Sequence, residues 1–398
     1  MWKNKNVWIV LSGEFIAGLG LWFGIIGNLE FMQKNVPSDF MKSLILFIGL
    51  LAGVLVGPLA GKMIDSCSKK TVLIYSGLGR MLSVIFMFMA IQFDSLFFMI
   101  LFMISIQLSA AFYFPALQAV IPIIVKDNDL IQMNGVHMNV ATMARVIGTA
   151  LAGALLVFMS LTSIYAMSMA AYAVLFGATF LLDFKEDKRE QSKSGKSGSF
   201  KEVLPVLKGT PIAITALVLT IIPVLFIGGF NLMVINISEL QDSTSIKGLL
   251  YTVEGIAFMI GAFFVKKITS RFSSVHMLFA FALIISIAHL SLFFSDIMWM
   301  SLISFGLFGL GVGCFFPIVS TIFQTKIPKE YHGRFFSFRN MLDRVMFQVV
   351  LLGTGLFLDT IGLQFMVLIF GTLSLLMVVI YGMKYFQKTE VGRLSESK

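Results

Sequence analysis

The sequence predicts an all-α integral membrane protein, with twelve transmembrane helices arranged as two pseudo-symmetric six-helix bundles. Three observations carry this. The 398 residues are 58% hydrophobic and 13% charged, with a mean hydropathy of +0.91, more apolar than a soluble domain of that length. Runs of about 20 apolar residues, each long enough to cross a hydrocarbon core, recur from end to end. The second half repeats the first at an offset of about 200 residues.

The runs fall at 7–29, 42–64, 71–92, 96–121, 132–158, 162–182, 210–236, 247–265, 275–294, 297–321, 335–358 and 362–384. Four links, QFDS at 92–95, SLTS at 160–163, FSDI at 294–297 and LDTIG at 358–362, are too short for anything but antiparallel neighbours. The basic start MWKNKNVWIV continues into a full span without a small-residue cleavage site, so a first span is expected there rather than a removable leader.

Loop charge sets the orientation. With the N-terminus cytoplasmic, about 23 of the 30 Lys and Arg residues fall on the cytoplasmic side, against about three outside (Lys34, Lys42 and Lys247). Both termini are expected inside. The net charge of +9 then reflects basic loops on one membrane face rather than a nucleic-acid surface.

The longest polar stretch, starting DFKEDKREQ at Asp183, divides the chain into a half at 1–183, a cytoplasmic linker at 184–208 and a half at 209–398. Gly195–Ser197 reads GKS, but position 190 is Glu where a phosphate loop needs Gly, and no strand precedes it. Cys67 and Cys314 sit far apart and give no metal or disulfide framework. His137, His276, His289 and His332 form no ligand set, and His289 reads as a hydrogen-bonded core residue. No cofactor, metal or enzymatic site is expected.

The internal repeat aligns at three places. GPLAGKMIDSCSKKTVL from Gly57 matches GAFFVKKITSRFSSVHML from Gly261, Pro115 matches Pro317, and RVIGTALAG from Arg145 matches RVMFQVVLLG from Arg344. One shared offset for all three marks tandem parallel halves.

Ionisable residues inside spans are costly and usually functional. Glu14 lies in span one, flanked by Gly13, Gly18 and Gly20. A carboxylate taken out of water without a cation holds its proton more readily, so Glu14 is a candidate for proton coupling or substrate binding; the structural alternative is an ion pair with Arg80 or Arg145. Glu254, in span eight, is a second candidate. Arg80 in span three and Arg145 in span five are the expected counter-charges, since Arg keeps its charge at any depth. Arg339 and Asp343, four apart in span eleven, read as a local ion pair, with Arg344 extending the cluster.

The turn after span two reads GKMIDSCSKK from Gly61. Gly61, Asp65, Lys69 and Lys70 match the signature loop of the major facilitator superfamily, with Ser66 and Ser68 standing where that signature has a basic residue and a glycine. The whole chain resembles that superfamily. GPLAG at Gly57, Arg80 in YSGLGRMLS and RVIGTALAG in span five resemble its drug-exporting branch, which includes macrolide-efflux type proteins. Thr149 stands where many exporters carry proline.

The resemblance implies a secondary active transporter of the cell membrane. It would export small amphipathic, drug-like compounds by proton antiport and alternating access. Its partners would be a small-molecule substrate, protons or another cation, and the bilayer. Gly57, Gly61, Asp65, Lys69 and Lys70 would form a conformational latch, with the Asp65 carboxylate facing a helix N-terminus near Gly333 to Phe335. Phe112, Tyr113, Phe114 and Pro115 are candidate cavity-wall residues, among aromatics that also include Trp22, Phe23, Phe226, Phe230, Phe315 and Phe316. Mid-span Asn28, Gln107 and Asn231 would orient a substrate or bond between helices. An importer of a polar solute, an exporter of a lipid-like, siderophore or peptide compound, and a transport-inactive sensor remain open alternatives.

Overall fold

The computed structural model describes residues 1–126, 129–184, 207, 209–328 and 332–396; the linker residues 185–206, with the GKS tripeptide, lie outside them. Within the described residues the chain is helical, with no strand. The helices are α1 (Lys5–Asn35), α2 (Asp39–Ser66), α3 (Lys69–Phe93), α4 (Leu96–Ile124), α5 (Leu130–Leu155), α6 (Leu161–Phe180), α7 (Pro211–Leu219), α8 (Ile221–Leu240), α9 (Ile246–Thr269), α10 (Ser274–Ser291), α11 (Met298–Lys326) and α12 (His332–Glu396).

Local chemistry explains their ends. Asn4, Ser38 and Ser160 each accept a backbone N–H of the following first turn, giving α1, α2 and α6 side-chain N-caps. Asp94 ends α3 in the left-handed conformation, φ 46°, which lets α4 begin after two residues. Pro223 has no N–H to give the Leu219 carbonyl, so α7 and α8 are separated at Thr220, yet Pro211–Leu240 remains a single apolar span.

Eleven helical stretches are long and apolar enough to cross a bilayer among the described residues. The last, Phe338–Tyr385, has 48 residues. A straight helix of that length would measure about 72 Å, more than twice a hydrocarbon core of about 30 Å. Gly362 resolves this. Its φ of 76° and ψ of 171° belong to a region open in practice only to glycine, and they break α12 into two spans. The twelve spans expected from the sequence are thus present.

The chain forms two compact units. One contains Met1–Lys193 together with Ser243–Thr252; the other contains Ser194–Asp242 and Val253–Lys398. In the first unit, α1 packs on α5 and α6, α3 packs on α4 and α6, and α2 packs on α4. Ser168 Oγ donates to the Gly20 carbonyl at 2.6 Å, and a Cβ on Gly20 would lie 2.8 Å from that of Ala171, so α1 and α6 meet almost backbone to backbone.

In the second unit, α8 packs on α12, and α10 packs on α11 and α12. Its centre is aromatic: Phe226 and Phe308 stack with centroids 3.7 Å apart, and Phe305 meets Phe226 edge-on. His289 is fully buried 4.9 Å from Phe226, with no hydrogen-bond partner for either ring nitrogen among the described residues. It is a core residue as expected, but aromatic faces rather than hydrogen bonds surround it. Outward-facing Leu55, Ile85, Phe263 and Phe365 are exposed, as befits a surface whose solvent is lipid.

Candidate functional site

Four helices of the first unit bring their polar side chains together. Glu14, from α1, is 7% exposed, and its carboxylate Oε2 accepts the Tyr113 hydroxyl of α4 at 3.2 Å. Arg80, from α3, is 3% exposed, with its guanidinium carbon 4.2 Å from the centre of the Tyr113 ring and 4.8 Å from that of Phe114. Tyr172, from α6, is buried in the same unit. Tyr113 thus stands between the acid and the base, bonding Glu14 through its hydroxyl and Arg80 through its face.

The local sequence explains the convergence. Gly79, next to Arg80, admits α4 so closely that an added Cβ would sit 2.5 Å from Ser109 Oγ. Pro115 removes one helical hydrogen bond just beyond Tyr113. A narrow apolar cleft, lined by Ile9, Val10, Leu73, Tyr113, Leu175 and Thr179 among others, reaches Tyr113 from the end of the unit that carries the N-terminus.

No ion pair joins Glu14 to Arg80 or Arg145 among the described residues, so the ion-pair alternative weighed for Glu14 is absent there; its hydrogen-bond partner is a phenol. Arg145 is half-buried in α5. Glu254 is buried in the second unit, where the tight α9–α11 packing puts its backbone against Gly309. Phe114 and Pro115 are exposed, Phe112 is half-buried and Tyr113 is buried. Phe226, Phe230 and Phe315 belong to the packed core. Asn28 accepts the Tyr165 hydroxyl at 2.5 Å and donates to Met103 Sδ at 3.4 Å, an interhelical bonding role. Arg339 Nε lies 3.4 Å from Asp343 Oδ2, the local pair that their spacing predicts.

The signature turn is mostly helix. Only Cys67 and Ser68 separate α2 from α3, so Gly57, Gly61 and Asp65 ride on the last turns of α2. Nothing lies within 4 Å of where a Cβ on Gly57 or Gly61 would stand. The Asp65 side chain is outside the described atoms. Lys69 and Lys70 open α3. Lys70 Nζ donates to the carbonyls of Phe180 at 3.0 Å and Leu182 at 2.6 Å, placing its charge on the negative end of α6.

Sequence reasoning overlooked one feature of the first unit. Lys247, counted only as an outer-loop charge, is fully buried and donates to Glu30 Oε2 at 2.7 Å, while Glu30 Oε1 meets the exposed Lys34 at 2.9 Å. Around this pair the segment Ser243–Thr252 is seated on α1 and α5. A Cβ on Gly248 would stand 2.8 Å from Gly153 Cα, Thr149 Oγ1 lies 3.4 Å from Thr252 Oγ1, and Trp22 meets Tyr251 edge-on. Thr149, the departure from the exporter pattern, thus supplies a hydroxyl that proline lacks.

Apolar spans in two repeated sets, with buried charge confined to a few sites, define a multi-pass membrane transporter rather than an enzyme. The chain belongs to the Major Facilitator Superfamily, whose profile matches residues 10–347 and 224–397. It is 24% identical over 401 residues to an uncharacterized MFS-type transporter, YfiS, of Bacillus subtilis (strain 168), covering 95% of this chain and 93% of that protein. It is 23% identical over 402 residues to macrolide efflux protein A of Streptococcus pyogenes, covering 95% of both. Among solved structures it is similar to the nucleoside transporter NupG (TM-score 0.72, 13% identity, 96% of this chain and 99% of that one). It is also similar to a bacterial homologue of the iron transporter ferroportin in an inward-facing state (TM-score 0.72, 14% identity, 95% and 98%). At these identities the solved structures speak to the fold alone.

Proposed function

We propose that the chain exports small amphipathic, drug-like compounds across the cell membrane in exchange for protons, with both termini cytoplasmic and Glu14 carrying the coupling. The observation behind this is the buried Glu14 carboxylate, hydrogen-bonded to the phenol of Tyr113 and free of any ion pair among the described residues. A carboxyl held by a neutral partner takes up and gives up a proton without an ion pair having to break, as a coupling site requires. Tyr113, which holds Glu14, also lines the narrow apolar cleft. Similarity to macrolide efflux protein A over 95% of both chains supports the outward direction.

Everted membrane vesicles test this reading. An imposed pH gradient, acid inside, should drive accumulation of a lipophilic fluorescent cation by the native protein and collapse when a protonophore is added. The Glu14→Gln variant, equally abundant in the membrane, should accumulate the dye no better than empty vesicles. Equal accumulation by both would remove Glu14 from the coupling role.

A further inference from the structure

Arg80 carries more charge than its surroundings answer. It is 3% exposed, and among the described residues no carboxylate oxygen lies within ion-pair distance of its guanidinium. Its Nε is enclosed without a hydrogen-bond partner. Tyr113 and Phe114, their rings 78° to each other, lie with centroids 4.2 and 4.8 Å from the guanidinium carbon and offer it ring faces rather than a carboxylate or carbonyl. The nearest acid of the cluster, Glu14, is engaged by the Tyr113 hydroxyl instead. Arg cannot escape such a position by losing its proton, and a buried cation without an acceptor is costly. Structural arginines in spans meet a carboxylate or backbone carbonyls; this one meets rings.

We infer that Arg80 is the anion-recognition half of the substrate site, so that the preferred substrate is amphoteric: an apolar body carrying a carboxylate or phosphate for Arg80 and a basic nitrogen for Glu14. This rests on the proposed transport role of Glu14 and narrows its substrate class. The planar fork suits a two-oxygen acid group. Glu14 and Arg80 act on opposite ends of one tyrosine, its hydroxyl and its ring. A substrate reaching both therefore needs its two charges separated by a few bonds rather than placed on adjacent atoms. Phe114, 39% exposed, offers an apolar face beside the fork.

The test is binding, measured on purified protein in detergent so that it does not depend on transport. Nα-dansyl-lysine carries a carboxylate and, at the end of a four-carbon stem, an ammonium; dansylcadaverine is the same molecule without the carboxylate. Dansyl fluorescence titrations should show the native protein binding Nα-dansyl-lysine at least about tenfold more tightly than dansylcadaverine, the scale of one charge-assisted forked contact. Arg80→Gln should bring that ratio to about one. Arg80→Lys, which keeps the charge and loses the fork, should give an intermediate ratio, and it serves as the readout if the Gln variant does not elute as a monodisperse species. A native ratio near one, no binding of either probe, or a ratio unmoved by both variants would overturn the assignment. Binding with the expected ratio but no proton-driven uptake of Nα-dansyl-lysine into vesicles would overturn the exporter reading and leave the anion site standing.

Discussion

Lys247 Nζ donates to Glu30 Oε2 at 2.7 Å inside the first unit, joining the opening turn of α9 to the end of α1 with both side chains almost entirely out of solvent. Breaking a buried pair costs about 3–5 kcal/mol, because the surviving charge stays in low dielectric. The two ends should respond unequally. After Lys247→Met, Glu30 keeps the neighbouring Lys34 at 2.9 Å, so the loss should fall below that range. Glu30→Gln removes the carboxylate from both Lys247 and Lys34 and should cost more. Thermal unfolding in detergent should rank native above Lys247→Met above Glu30→Gln, with the double variant recovering part of the loss. Equal unfolding temperatures throughout would mean that the pair contributes nothing to the folded state.

Gly309 should tolerate no side chain. A Cβ there would run into the Glu254 carbonyl of α9, a backbone atom that cannot swing aside. Gly309→Ala should therefore push α11 off α9 and destabilise the second unit by about 1–3 kcal/mol, the usual range for overpacking. Gly177, where an added Cβ would meet nothing within 4 Å, is the control. Gly177→Ala should leave the unfolding temperature unchanged or raise it slightly.

Lys70 and Asp65, on either side of the turn between α2 and α3, should differ in role. Lys70 binds the final carbonyls of α6, so Lys70→Met should lower the unfolding temperature modestly, by about 1 kcal/mol equivalent, and Lys70→Arg should retain most of it. Asp65→Asn changes a carboxylate on the last turn of α2 and should leave membrane insertion and unfolding intact while lowering transport, as the proposed latch requires. Native turnover in Asp65→Asn would end the latch proposal.

Tyr113→Phe removes only the hydroxyl that Glu14 accepts and keeps the ring under Arg80. One hydrogen bond of about 0.5–1.5 kcal/mol predicts a two- to tenfold loss in proton-driven uptake with the fold preserved. Loss of the ring as well, in Tyr113→Ala, should be more severe, because the guanidinium then loses a supporting face. Equal uptake by native protein and Tyr113→Phe would separate the phenol from coupling.

The spans and the family signature were legible in the sequence because each has a local cause. Twenty apolar residues announce a span, and GKMIDSCSKK announces a turn. Even the break at Gly362 sits in LDTIG, which reads as a link although helix continues on both sides. The residues of the Glu14 cluster could be singled out one by one, since an acid or base in an apolar run is conspicuous. Their grouping could not: whether Glu14 would meet Arg80, Arg145 or Tyr113 depends on helix rotation, and apolar spans with residues buried on several faces carry little periodic signal. Glu30 escaped notice because it lies four residues before Lys34 at a span end, where a solvated i, i+4 pair is the ordinary reading. Its burial against Lys247, 217 positions away, has no sequence signature.

The most direct test of the central claim measures protons rather than substrate. Purified protein is reconstituted into liposomes containing a trapped pH-sensitive dye, without any imposed pH gradient, and a substrate gradient is applied. Native protein should move protons opposite to the substrate, and the Glu14→Gln protein should carry substrate without moving protons or fail to carry it at all. Substrate-driven proton movement that persists in Glu14→Gln would contradict the account.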